Sequence, residues 1–279
     1  MSVRIVVDST ANMPESLLSQ VTVVPLNVSF GDETFIDGVT IDNKTFYEKL
    51  ATSNTLPKTS QPSPAAFAAV YEEAKQTGDT LVVLCVSSRL SGTCQSAMIA
   101  AQDYDNVYVV DTLHVANAFG VLAEYALQLA NAGKSAQDIV DAVLAEREHV
   151  QLFALLDTLE YLEKGGRISK TAAFAGTLLS LKPIVCIKDG ALTSMGKARG
   201  MKQGQQLLMK EMAAAGVDFS KPYLMGYSGL SDELLQNFLK TSASIWEDGV
   251  ENVRTVPLCS VVGTHAGPGA VVAAFFKKH

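Results

Sequence analysis

The feature that most constrains this chain is a continuous apolar run, Leu81-Val82-Val83-Leu84-Cys85-Val86, which passes directly into Ser87-Ser88-Arg89-Leu90-Ser91-Gly92-Thr93. The run is short, β-branched and unalternating, the pattern of a strand buried on both faces of a parallel sheet. Gln95 to Ala101 reads as a helix. The hydroxyl-rich segment is therefore a strand-to-helix turn at the carboxyl edge of a sheet, where open α/β folds hold their ligands. Ser91 stands where an N-cap belongs, and Gly92 permits close approach of the backbone. Free N–H groups at a helix start, with hydroxyls beside them, suit a small anion such as a carboxylate or phosphate. The plainer alternative is that Ser91 only caps its own helix.

The same pattern recurs on either side. Arg4 to Val7 is an apolar strand ending in Asp8-Ser9-Thr10, and Val107 to Val110 is another ending in Asp111-Thr112. Helices are expected over Ala65–Gln76, about Val115–Asn131, and from a Ser135 cap to Glu148. Strand and helix alternate, so residues 1–150 are expected to form a doubly wound, mostly parallel α/β domain. Within it, Gly31-Asp32-Glu33 fits a hairpin turn. The prolines at 57 and 62 make a stiff loop able to hold Thr59, Ser60 and Gln61 in fixed places. Composition changes near residue 150, and residues 151–279 read as a second, α+β domain with hairpins, the clearest at Asp189-Gly190. Gly165-Gly166 ends a helix, with Ser169 placed to cap the next one. Arg167 between them is either an ion-pair staple or a partner contact. Near the end, Gly263-Thr264-His265-Ala266-Gly267 predicts an exposed loop around a single histidine, with close backbone approach.

Composition removes several function classes. A net charge of −7 argues against nucleic-acid binding, which needs a basic surface. The four cysteines, Cys85, Cys94, Cys186 and Cys259, show no CxxC spacing, so no zinc site or disulfide frame is expected, and no cofactor. The first residues enter a strand without a signal peptide, and no apolar run approaches the ~20 residues that span a bilayer, which predicts a cytoplasmic protein. Two enzyme classes fit less well. A serine hydrolase could use Ser91 as nucleophile, His265 as base and Asp8 or Asp111 as orienting acid, but Ser91 lacks the Gly-x-Ser-x-Gly elbow. A nucleotide-binding enzyme would need a phosphate loop that the sequence does not contain.

Asp8-Ser9-Thr10, Thr59-Ser60-Gln61-Pro62-Ser63, Ser87 to Thr93, Leu162-Glu163-Lys164-Gly165-Gly166-Arg167-Ile168-Ser169 and His265-Ala266-Gly267-Pro268-Gly269 together resemble the signatures of the DegV family, in that family's order and across nearly the whole chain. The resemblance implies a two-domain, non-catalytic carrier with a lipid tunnel between or within its domains. Its ligand would be one long-chain, palmitate-like fatty acid. In bacteria that possess a fatty acid kinase, such proteins present the bound carboxylate to the kinase subunit for phosphorylation. By the same resemblance, Thr59, Ser91 and His265 would contact the carboxylate, with Ser9, Ser60, Gly92 and Thr93 around them. Arg167 and Arg199 would face the partner, and Cys94 stands where the family commonly carries an aromatic residue.

Overall fold

A computed structural model describes residues 2–169 and 180–278. The helix expected after Ser169 lies outside the described residues. The first sheet has four parallel strands in the order Thr22–Val24, Val3–Asp8, Thr80–Cys85, Val107–Asp111. Its central strands show why the apolar runs do not alternate. Val6, Leu81, Val83 and Cys85 pack on Phe67 and Tyr71 of the helix Pro64–Thr77 and on Ala97 of the helix Thr93–Ala101. Ile5, Val7, Val82 and Leu84 pack the other way, with Phe119 and Leu122 of the helix Ala116–Asn131 and Ile139 of the helix Ala136–Glu146. With helices on both faces, neither side of a strand can be polar.

The second sheet begins at Val150, where the composition changes. Its six strands run Ala191–Arg199, Leu181–Lys188, Val150–Leu155, Val271–Phe276, Tyr223–Tyr227, Thr255–Pro257. Neighbours are antiparallel except the last pair, which is parallel. One face carries Phe153, Leu155 and Phe275 under Leu208 and Met212 of the helix Gly200–Ala215 and Phe238 of the helix Glu233–Thr241. The other face carries Leu152, Ala154, Val272 and Ala274 into the core that also holds Phe119 and Leu122. The helix Ala116–Asn131 thus lies between the two sheets, and every residue from Ala116 to Glu124 is buried. A helix buried on all sides over these turns requires such a position. Its one buried carboxylate, Glu124, accepts two hydrogen bonds of 2.9 Å from the guanidinium of Arg254, tying the helix to the second sheet.

Three local expectations are corrected. Lys58–Ser60 is not loop but a short strand of a three-stranded antiparallel sheet, with Thr59 opposite Val28. The helix after the Ser87–Gly92 turn starts at Thr93 with Gly92 at its cap position, so Ser91 stands one residue outside and is not the cap. His265 lies in the last turn of a helix, Ser260–Ala266, rather than in an exposed loop. The glycines around it serve tertiary contacts. A Cβ on Gly263 would lie 2.5 Å from the Tyr47 hydroxyl, and Gly267, at φ +68°, ends the helix against the Tyr161 ring. The close backbone approach expected there is real, but helix packing causes it.

Candidate functional site

A cavity of about 370 Å³ opens where the parallel strands end, between the two sheets. That volume falls within the range of small-molecule sites, about 300–1,000 Å³. Thr59, Ser91 and His265, from three segments far apart in sequence, all line it, as do Ser60, Gln61 and Gly92. The remaining wall is largely aliphatic, with Leu152, Ala154, Val185, Leu192 and Val272 from the second sheet, Val261 from the helix Ser260–Ala266 and Val86 just past the end of a first-sheet strand among its members. Polar groups are thus gathered among hydrocarbon walls, an arrangement that suits an amphipathic ligand.

Each polar group is held by the local fold. The Thr59 hydroxyl, set by the strand ladder, shares a 2.9 Å hydrogen bond with His265 Nε2. The helix that carries His265 is anchored at its start by Asp37, whose buried carboxylate accepts the Ser260 N–H at 3.1 Å. Burial pushes the Asp37 pKa up, and nearby hydroxyls including Ser9 pull it partly back. The Ser91 and Thr93 hydroxyls lie 2.8 Å apart, and Ser91 Oγ also accepts the Thr93 N–H at 3.3 Å. A Cβ on Gly92 would lie 2.1 Å from Gln61 Oε1, so any larger residue would displace the Gln61 amide, whose Nε2 donates to Ser96 Oγ. Gly165 plays the same part for the histidine, since its Cβ would lie 2.3 Å from His265 Nδ1.

Other sequence-predicted residues take different places. Thr93 is buried behind Ser91 and is not part of the lining. Ser9 does not line the cavity either; its hydroxyl accepts the Leu26 N–H, and Thr10 lines the cavity in its place. Arg199 is exposed at the end of its strand, away from the lining. Arg167 is in the wall, where its guanidinium donates to the carbonyls of Leu90 at 3.1 Å and Gly165 at 2.6 Å. Among the described residues it therefore staples backbone carbonyls and makes no ion pair, and it is the one formally charged group among those that line the cavity. Asp37 carries no sequence signal that marks it as part of a site, and Gln61 and Gly165, though they fall within the signature segments, carry none that shows what they do there. Their roles arise only from contacts between segments.

The charges favour a neutral histidine. Burial, and secondly the positive charge of Arg167, push His265 down to about 4. Asp8 is wholly buried and pushed up to about 6, accepting from the Thr10 N–H and hydroxyl and from the Val86 N–H at 2.7 Å. Asp111 accepts from the N–H groups of Ser88 and Leu113. Both acids hold turns. His265 bonds Thr59 through Nε2, and its Nδ1 has no partner among the described residues. A hydrolytic triad would need a carboxylate there to orient the ring, so the three groups do not assemble one. The depressed pKa has a consequence for stability. Between pH 4 and 6.5 the unfolded chain binds a proton at this histidine that the folded chain does not, so its contribution is lost as pH falls. The stability difference between wild type and His265→Gln is expected to shrink by about 2 kcal/mol from pH 7 to pH 5, read by urea denaturation at both values.

A family model described as "Uncharacterised protein, DegV family" matches residues 2–278. The DegV domain-containing protein of Caldanaerobacter subterraneus subsp. tengcongensis is 32% identical over 280 residues, spanning 99% of both chains. Among solved structures, a DegV family protein from Thermus thermophilus, described for its fatty acid binding, superposes with a TM-score of 0.88 at 31% identity over 100% of each chain. A Streptococcus pneumoniae fatty acid kinase B3 protein loaded with linoleic acid superposes with a TM-score of 0.86 over 100% of each chain; at 22% identity this is a likeness of fold.

Proposed function

The chain belongs to the DegV family, and from that premise we propose that it binds one long-chain fatty acid between its two halves, residues 1–150 and 151–279, with the carboxylate at Thr59, Ser91 and His265. The observation that carries this reading is the convergence of those three groups on one cavity whose other walls are largely aliphatic, supplied by the second sheet and by segments that follow the strands of the first. Each buried methylene contributes roughly 0.8 kcal/mol, so a tail of about fifteen carbons supplies on the order of 12 kcal/mol before the cost of immobilising it. A hydrogen bond to a charged acceptor adds only about 1.5–3 kcal/mol net. The tail therefore sets affinity, and the hydroxyls orient the head group and keep its charge from being buried without partners. Arg167 adds a positive charge to the cavity wall. A carboxylate beside His265 would favour the protonated ring, opposing the effects that depress its pKa.

The protein then acts as a cytoplasmic carrier that presents the acid to a fatty acid kinase subunit, the role its family resemblance implies, and no side chain of its own need act as nucleophile. Exposed Arg199 is available to such a partner. Mass spectrometry of the denatured recombinant protein is expected to show one C14–C18 acid per chain. Protein that carries no acid and, after delipidation, takes up no palmitate would overturn the reading. In Thr59→Val and Ser91→Ala, palmitate affinity is expected to fall by about tenfold, the worth of one such bond. Acyl-phosphate formation with added kinase subunit should fall further. Equal and complete loss of both would show that these hydroxyls do more than orient the head group.

A further inference from the structure

Ser87 opens the turn that ends at the site, yet it does not line the cavity. It is fully buried and uses all of its hydrogen-bonding groups. Its N–H donates to the His114 carbonyl at 2.8 Å, and its carbonyl accepts the N–H groups of Leu90 at 2.9 Å and Ser91 at 3.1 Å. Its hydroxyl accepts the Arg89 N–H and donates, at 2.6 Å, to the carbonyl of Gly190, 103 residues further along the chain.

Gly190 is the tip of the hairpin formed by Leu181–Lys188 and Ala191–Arg199. That hairpin pairs with its inner neighbour only through Ile184, Val185 and Cys186, so Ile187 to Leu192 project beyond the ladder. Val185 and Leu192, on its two strands, are part of the aliphatic cavity wall. The tip is seated closely: a Cβ on Gly190, at φ +78°, would lie 2.7 Å from Ser87 Oγ and 3.0 Å from Leu113 Cδ2. One serine thus fixes the backbone of Ser91 on one side and the free end of a cavity wall on the other.

We propose that Ser87 is a positioning residue that latches the 189–190 hairpin tip to the Ser91 turn, so that the wall over the acyl tail lifts only when the Ser87–Gly190 bond opens. The proposal rests on the fatty-acid reading for its ligand, although the latch is a property of the protein alone. In Ser87→Ala the buried Gly190 carbonyl loses its donor, which should make tip opening about tenfold more frequent.

Two measurements on the full-length protein test this. In the ligand-free state, amide hydrogen exchange of residues 187–192 should rise about tenfold in Ser87→Ala, with the rest of the second sheet unchanged. In the loaded state, palmitate release into excess albumin should speed up by a similar factor. Gly190→Ala, which forces the tip off its seat, should act in the same direction. If wild type takes up no palmitate, the fatty-acid reading fails while hydrogen exchange still decides the latch. Unchanged exchange at 187–192 in both variants overturns the latch, and so does a uniform rise across the whole sheet, which would mark a merely structural serine.

Discussion

In the Ala154→Trp variant, long-chain fatty acid binding is expected to collapse while the fold survives. Ala154 sits on the strand Val150–Leu155 in register with Val185 on one neighbour and Val272 on the other, and all three line the cavity. Together they form a row of small and medium side chains across three strands, which is what leaves room for a ligand. An indole at the centre of that row occupies space the acyl tail needs. Displacing even four methylenes removes about 3 kcal/mol, so palmitate affinity should drop by a hundredfold or more. In a filled core, overpacking of this kind costs about 1–3 kcal/mol. Here the ring enters an existing cavity, and the thermal midpoint should change little. Titration of delipidated protein with palmitate and with octanoate separates the outcomes, because a short acid leaves room for the indole and should lose much less. Equal affinity of wild type and variant for palmitate would place the tail elsewhere.

How much of this was legible in the sequence depended on whether the cause of each feature was local. The two-faced burial of Thr80–Cys85 shows directly in residues 81–86, because both layers of helices demand apolar side chains. Asp189-Gly190 announces its turn, since both residues adopt positive φ. The shape of the Thr59 segment was hidden. A three-residue strand between prolines has no periodicity, and its ladder partner, Val28, lies on a distant hairpin. The His265 helix was masked by Gly263 and Gly267, which resemble loop residues although one accommodates Tyr47 and the other ends the helix. Ser9 and Thr10 could not be told apart as cavity residues, because a turn after Asp8 decides which of two adjacent hydroxyls faces inward. The gathering of Thr59, Ser91 and His265 at one place was reachable only through the family resemblance, since no local pattern joins residues 206 positions apart.

The adjacent glycines 165 and 166 should respond to alanine in opposite ways, which isolates the histidine from general stability. Gly165 ends the helix Glu160–Lys164 at φ −74°, a conformation that alanine adopts freely. Its added methyl would nonetheless lie 2.3 Å from His265 Nδ1, 2.9 Å from the Tyr161 carbonyl oxygen and 3.0 Å from His265 Cε1. The ring must turn away, and its bond to Thr59 breaks with it. Gly166 is the reverse case: its φ is +72°, with nothing within 4 Å of a built Cβ. Alanine there strains the backbone by about 1–2 kcal/mol without touching the site. Gly166→Ala should therefore lower the unfolding free energy by about that amount and leave palmitate binding intact. Gly165→Ala should cost palmitate affinity about tenfold or more, through loss of the partner proposed for the carboxylate. Its effect on acyl-phosphate formation should be larger still, because a misplaced head group is still bound by its tail but is not presented. The imidazole resonance of His265, followed by NMR from pH 4 to 7, reports the displacement directly. A ring pushed towards solvent regains a pKa near its ordinary value, whereas in Gly166→Ala it should stay near 4. If both variants kept the wild-type titration and the wild-type affinity, Gly165 would not be what holds this histidine against Thr59.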